Sequence, residues 1–189
     1  MHPLHRLIAQ ILVGTEMVGG QPLLGKDCGG NQHIQLFCGG QAARATRFCS
    51  VDAIVLKEGK VKIVIEIEES DIRPTALCGK VFVSCLASHF IHQGTSFPLA
   101  EHAMFLQVID TSKLSSNASK LDQCRYLSEA IRKTLSTGVG NLREYELFYG
   151  DIAEFERPEA QLELRDSLRD ATSILTQGAC EQRIRRDSA

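Results

Sequence analysis

Leu4, Leu7, Ile8, Ile11 and Leu12 recur at intervals of three and four, which sets them on one stripe and predicts an opening amphipathic helix that Gly14 weakens or ends. The pattern then lapses. Residues 19–40 are rich in glycine and read as loop, apart from 33–38, where polar and apolar positions alternate as in a strand. Two β-rich runs, 50–56 and 61–68, flank Lys57-Glu58-Gly59-Lys60 and predict a hairpin. Pro74 suits a first helical turn, and the nearly unbroken apolar stretch 76–91 predicts a buried helix. Residues 104–109 read as a central strand and 144–149 as another. Between them, Leu121, Cys124, Leu127, Ile131 and Leu135 mark an amphipathic helix. A last helix begins at Pro158, with Leu164, Leu168, Ala171 and Leu175 on its apolar face.

This order of elements predicts an α/β fold, a mixed central sheet flanked by helices. With no repeat or linker in view, residues 1–177 are expected to form one domain. The basic tail 178–189, which carries Arg183, Arg185 and Arg186, has no hydrophobic period and is expected to fray.

Composition narrows the class. A chain of 189 residues with 43% hydrophobic and 23% charged positions can bury a core and lies far from the signature of disorder. No apolar run reaches the roughly 20 residues of a membrane-spanning helix, and the short apolar stretch near the start lacks a small-residue cleavage site, so a cytoplasmic protein is expected. The formal charge of -2 gives no overall attraction to nucleic acid, so phosphate binding has to come from local patches. Seven cysteines without a CxxC pair argue against a disulfide framework or a zinc knuckle. Cys49, Cys78, Cys85 and Cys124 sit in apolar patterns and are expected to act as small hydrophobes.

The candidate chemistry lies on the hairpin. Val61, Ile63, Ile65 and Ile67 alternate with Lys62, Val64, Glu66 and Glu68, so Glu66 and Glu68 share a face. A three-residue turn, Glu58-Gly59-Lys60, places Asp52 opposite Glu66 on that face, whereas a loop of two or four residues sends it to the other side. Three carboxylates in one place repel one another unless a cation neutralises them, and Mg²⁺ or Mn²⁺ suits oxygen ligands of this kind. On this view Asp52→Asn slightly stabilises the cation-free protein while weakening metal binding.

Asp52, then Glu66-Ile67-Glu68 after a hairpin, then a helix from Pro74, resembles the αβββαβ core of the PD-(D/E)xK nucleases, which include type II restriction endonucleases. The resemblance covers about residues 4–109. It implies a Mg²⁺-dependent nuclease that hydrolyses phosphodiester bonds, with nucleic acid, DNA foremost, as partner, and with a homodimer where both strands are cut. Asp52 and Glu66 then hold the metal. Glu68 stands where the motif has lysine, and no proline precedes Asp52. The water-serving role falls to Glu68 or to Lys80 on the following helix, and Glu16 at the end of the first helix is a further metal-ligand candidate. Arg44 and Arg47 are expected either to hold phosphate oxygens or to pair with the acidic cluster. The missing motif lysine supports a second reading, a catalytically inactive nuclease-fold module that binds nucleic acid or a partner protein. The bland alternative is a solvated, charged end of an edge strand.

Two other patterns carry less. Residues 20–27 nearly match a phosphate loop, but Asp27 replaces the hydroxyl that should bind Mg²⁺. His89 and His92, three apart on an expected helix, have no cysteine or carboxylate at ligand spacing.

Overall fold

The computed structural model describes residues 3–39, 41–69, 73–113 and 118–173. Along the chain run α1 (Pro3–Val13), β1 (Gly20–Leu24), a 3-10 turn (Lys26–Cys28), β2 (Ile34–Phe37), β3 (Arg47–Val51), β4 (Ala53–Lys57) and β5 (Lys60–Glu68). They are followed by α2 (Pro74–Leu86), β6 (His89–His92), β7 (Thr95–Asp110), α3 (Ala118–Ser136), β8 (Leu142–Gly150), α4 (Ile152–Phe155) and α5 (Pro158–Ser173).

The sheet is mixed. β1, β4 and β5 form an antiparallel meander, and β7 and β8 continue it in parallel, each after a helical crossover. β7 is long enough to serve two neighbourhoods. Its later part lies between β5 and β8, while its start turns back on β6 in a hairpin that leads to β2 and β3. Helices cover both faces, so β5 and the later part of β7 are buried on both sides, as central parallel strands usually are. Ile63, Ile65, Ile67, Leu106 and Val108 pack with Leu4, Ile8 and Leu12 of α1 and Leu164 and Leu168 of α5. Val64, Phe105 and Tyr145 pack on the other face with Val81 of α2 and Ile131 of α3. The expected mixed sheet flanked by helices is therefore what folds. Among the described residues no helix is long and apolar enough to cross a membrane.

Several local expectations are corrected. The helix expected over 76–91 ends at Leu86, and residues 89–92 form β6. Gln93-Gly94, both with positive φ, make a two-residue hairpin turn, so the apolar run was helix followed by strand, two states that a continuous apolar stretch does not separate. His89 and His92 therefore share no helix face. The glycine-rich stretch contains β1, an edge strand in which Pro22 is tolerated because the outer side needs no ladder donor. With residues 20–24 extended, the near phosphate-loop match is a strand rather than a loop. The run 50–56 divides at Asp52 into the end of β3 and β4, which belong to different ladders. Leu175 and the tail 178–189 lie outside the described residues.

The hairpin turn also differs, with an instructive result. Lys57 pairs with Lys60, leaving the two-residue turn Glu58-Gly59, both residues at positive φ. That turn alone sends Asp52 to the wrong face. A bulge at Lys62 inserts one residue, so that Leu56 pairs with Val61 but Val55 with Ile63 and Ala53 with Ile65. The slip restores the register that sets Asp52 level with Glu66. It also moves Val61 onto the Val64 face, where it is buried in the second core cluster.

Candidate active site

Asp52 sits where the chain leaves one ladder for another. Its backbone N–H still donates to the Ile65 carbonyl (3.1 Å), but β4 does not cover the next donor on β5. The Asp52 carboxylate takes that place, Oδ2 accepting the Ile67 N–H at 2.7 Å. Oδ1 faces His5 Nε2 at 3.5 Å. The other side of the His5 ring reaches Glu69, Nδ1 to Oε1 at 3.2 Å, and the His5 backbone N–H donates to the same oxygen at 2.8 Å. A His5 bridge thus joins Asp52 to Glu69 across the start of α1.

Glu66 lies on β5 facing α2 and is 4% exposed. Lys80, at the middle of α2, sets its ammonium against Glu66 Oε1 and donates to the Ser50 carbonyl at 3.2 Å. The second Glu66 oxygen, Oε2, is buried without a hydrogen-bond partner among the described residues. Burial first, then the negative charge of Asp52, push the Glu66 carboxyl up to about 8 against the pull of Lys80, and Glu68 adds to the rise. Burial pulls the Lys80 ammonium down, but Glu66 and Asp52 more than offset this and raise it, so it stays charged at neutral pH. Here is a buried carboxylate that its surroundings only partly neutralise.

The glycine-rich loop packs directly on this corner. Gly25 N–H donates to the Asp52 carbonyl at 2.8 Å, and the Gly25 carbonyl accepts from both Cys28 and Gly30. A Cβ at Gly25 meets the Asp52 carbonyl oxygen at 2.7 Å. Gly25→Ala is accordingly expected to destabilise the fold by about 1–3 kcal/mol through forced separation of loop and strand, read as a lower melting temperature. The loop brings Cys28 beside the carboxylates, where burial and then Asp52 push its thiol up to about 12, which keeps it an inert thiol.

Between loop and sheet lies a cavity of about 110 Å³ lined by Lys26, Asp27, His33, Ser50, Asp52 and Lys80. That is room for a few waters or one small polar group. A broader, shallow depression runs along the outer face of α3 by Asp122 and Tyr126, distant from these groups.

The fold brings together Asp52, Glu66 and Lys80 and leaves other candidates apart. Glu68 ends β5, half-buried, close enough for its charge to act on Glu66. Glu16 is exposed beyond the C-terminal end of α1, whereas His5 lies in the first turn, roughly 12 Å along the axis from Val13 at the other end. Arg47 opens β3 opposite Phe37, roughly 16 Å along the strand from Asp52, and Arg44 lies in the exposed turn closed by Thr46. Both arginines are exposed. Among the described residues no three ligating side chains are grouped to hold an ion by themselves.

His5 is the main residue that the pattern of positions did not flag. One signal was present: it is a polar residue beside the buried stripe of α1, and a buried polar group is the informative exception. Burial pulls its imidazole down, but Asp52 and then Glu69 outweigh this, raising its pKa above the ordinary 6.5. The stabilisation from this pairing is therefore full below about pH 6.5 and is lost as pH rises through the folded-state value. His5→Leu is expected to lower the melting temperature in EDTA more near pH 6 than near pH 9; equal losses at both would show that the ring serves only packing.

No family model, curated protein or solved structure matches the chain significantly.

Proposed function

We propose that the chain is a divalent-metal-dependent nuclease of the restriction-endonuclease-like type, hydrolysing phosphodiester bonds at the corner formed by Asp52, Glu66 and Lys80. The observation that carries this reading is Lys80. It comes from the helix after the hairpin, yet its ammonium meets the buried Glu66 beside Asp52. An acidic pair and a lysine thus meet in the combination the motif requires, although Glu68 fills the motif position in sequence. With β2, β3 and β6 set aside as insertions, the remaining order of helix, three antiparallel strands, helix and parallel strand also supports it.

The donor set fits Mg²⁺ or Mn²⁺. Such ions commonly take one or two protein carboxylates and complete their shell with water and substrate oxygens, so a closed protein cage is not required. Asp52 and Glu66 would hold the ion, Glu66 through Oε1, the oxygen against which the Lys80 ammonium rests. When bound, the metal supplies Lewis-acid stabilisation of charge on the phosphodiester oxygens. Lys80 stays charged and donates hydrogen bonds, which suits it to orient water and steady a developing oxyanion. Lys26 and His33, on the cavity wall, take the place of the exposed Arg44 and Arg47 as the groups suited to hold phosphate oxygens.

The closed Lys80–Glu66 pair favours one second reading, an inactive module of the same fold in which lysine stands in for the metal. Incubation with single- and double-stranded DNA and with RNA, in Mg²⁺, Mn²⁺ or EDTA, separates the two. Cation-dependent cleavage that Asp52→Asn abolishes is expected; binding without cleavage under every condition would favour the inactive module.

A further inference from the structure

Glu66 and Gln107 are register partners on the adjacent parallel strands β5 and β7, on the face covered by α2 and α3. Gln107 is 0% exposed. Its Oε1 accepts the Tyr145 hydroxyl of β8 at 2.7 Å, while its Nε2 has no partner among the described residues. A buried donor and a buried acceptor, Gln107 Nε2 and Glu66 Oε2, are thus both unmatched on neighbouring strands. Leaving either so costs about 1–3 kcal/mol, so two such groups side by side in a well-packed core call for a shared explanation.

The strand order supplies it. β7 lies between β5 and β8, and Tyr145 fixes the amide oxygen toward β8. With the amide oxygen taken by Tyr145, Nε2 is the unused end of a side chain whose register partner on β5 is Glu66, although the two are not bonded to each other in this structure. Arg132 Nε donates to the Tyr145 carbonyl at 3.1 Å and ties this part of β8 to α3. We infer that Gln107 is a positioning residue for Glu66: Tyr145 orients its amide so that the donor supports one oxygen of the ionised carboxylate and leaves the other to the cation side of the site. This rests on the metal-site reading of Glu66, since a carboxylate that never ionises has no need of such a donor. Outer partners of this kind commonly change metal affinity by about 10–100-fold.

The test uses ¹⁵N-labelled full-length protein in EDTA and the side-chain amide resonances of Gln107. Glu66→Gln is expected to shift those resonances by more than their linewidth. The double variant Gln107→Met with Tyr145→Phe removes both members of the second hydrogen bond without stranding the tyrosine hydroxyl. It is expected to lose about tenfold in Mn²⁺ affinity, measured by calorimetry, with little change in melting temperature in EDTA. Amide resonances that ignore Glu66→Gln would overturn the inference, as would wild-type Mn²⁺ affinity in the double variant when Glu66→Gln abolishes binding. If Glu66→Gln itself leaves Mn²⁺ binding unchanged, the metal reading fails instead, and the amide resonances alone decide the role of Gln107.

Discussion

Glu66→Gln is expected to raise the melting temperature in EDTA at mildly alkaline pH and to remove divalent-cation binding. The folded protein holds the Glu66 proton up to about pH 8, whereas an unfolded chain releases it near 4.5. Between those values the folded state binds more protons than the unfolded state, so stability falls as pH rises, by roughly 1.4 kcal/mol per pH unit. Glutamine keeps the shape and removes the ionisation. Its cost is the loss of a counter-charge for Lys80, but that side chain is 40% exposed and water can solvate it. A net gain of about 1–3 kcal/mol is expected above pH 8, or several degrees in melting temperature, with the pH slope flattened. A variant less stable than wild type at alkaline pH would mean that Glu66 is a structural ion pair and not a site held ready for a cation.

Lys80→Met should separate binding from chemistry. Lysine and metal compete for the same carboxylate, so removing the ammonium is expected to leave Mn²⁺ affinity unchanged or tighter. The group that orients water is lost, and phosphodiester cleavage should fall about 10²–10⁴-fold. Lys80→Arg is not expected to rescue, because a planar guanidinium does not present its donors as an ammonium does. Equal activity in Lys80→Met would return the role to Glu68. Loss of Mn²⁺ binding together with activity would make Lys80 a scaffold residue.

Much of this was legible from alternation and helical spacing. The opening helix, the hairpin, the central strand and the two later helices follow from periodicities that packing reinforces. The register of the two hairpin strands from Val55 to Ala53 was also anticipated, though through a three-residue turn that does not exist. A two-residue turn and the bulge at Lys62 reach the same register together, and a bulge leaves no mark in alternation when the inserted residue is a lysine between two apolar neighbours. Lys62 hides its stem and donates to the His102 carbonyl at 2.8 Å, a long-range contact that a local pattern cannot carry.

The same limit explains the site. Asp52 was expected to carry repulsion that Asp52→Asn relieves, but in the fold its carboxylate caps the Ile67 N–H and faces His5. The repulsion therefore rests on Glu66, and the stabilising substitution belongs there. His5 and the glycine loop reach the corner from 47 and 27 positions before Asp52 respectively, counting from His5 and Gly25 to residue 52. Such juxtapositions are made by tertiary packing of α1 and by the Gly25 contact, which no spacing rule records.

The most direct measurement is anomalous scattering from crystals grown with Mn²⁺ near pH 8. The nuclease reading expects a peak between Asp52 and Glu66, about 2.0–2.3 Å from a carboxylate oxygen of each, with the Lys80 ammonium withdrawn from Glu66 Oε1. Lys80 still seated on Glu66, with no peak at that corner at millimolar Mn²⁺, would contradict it.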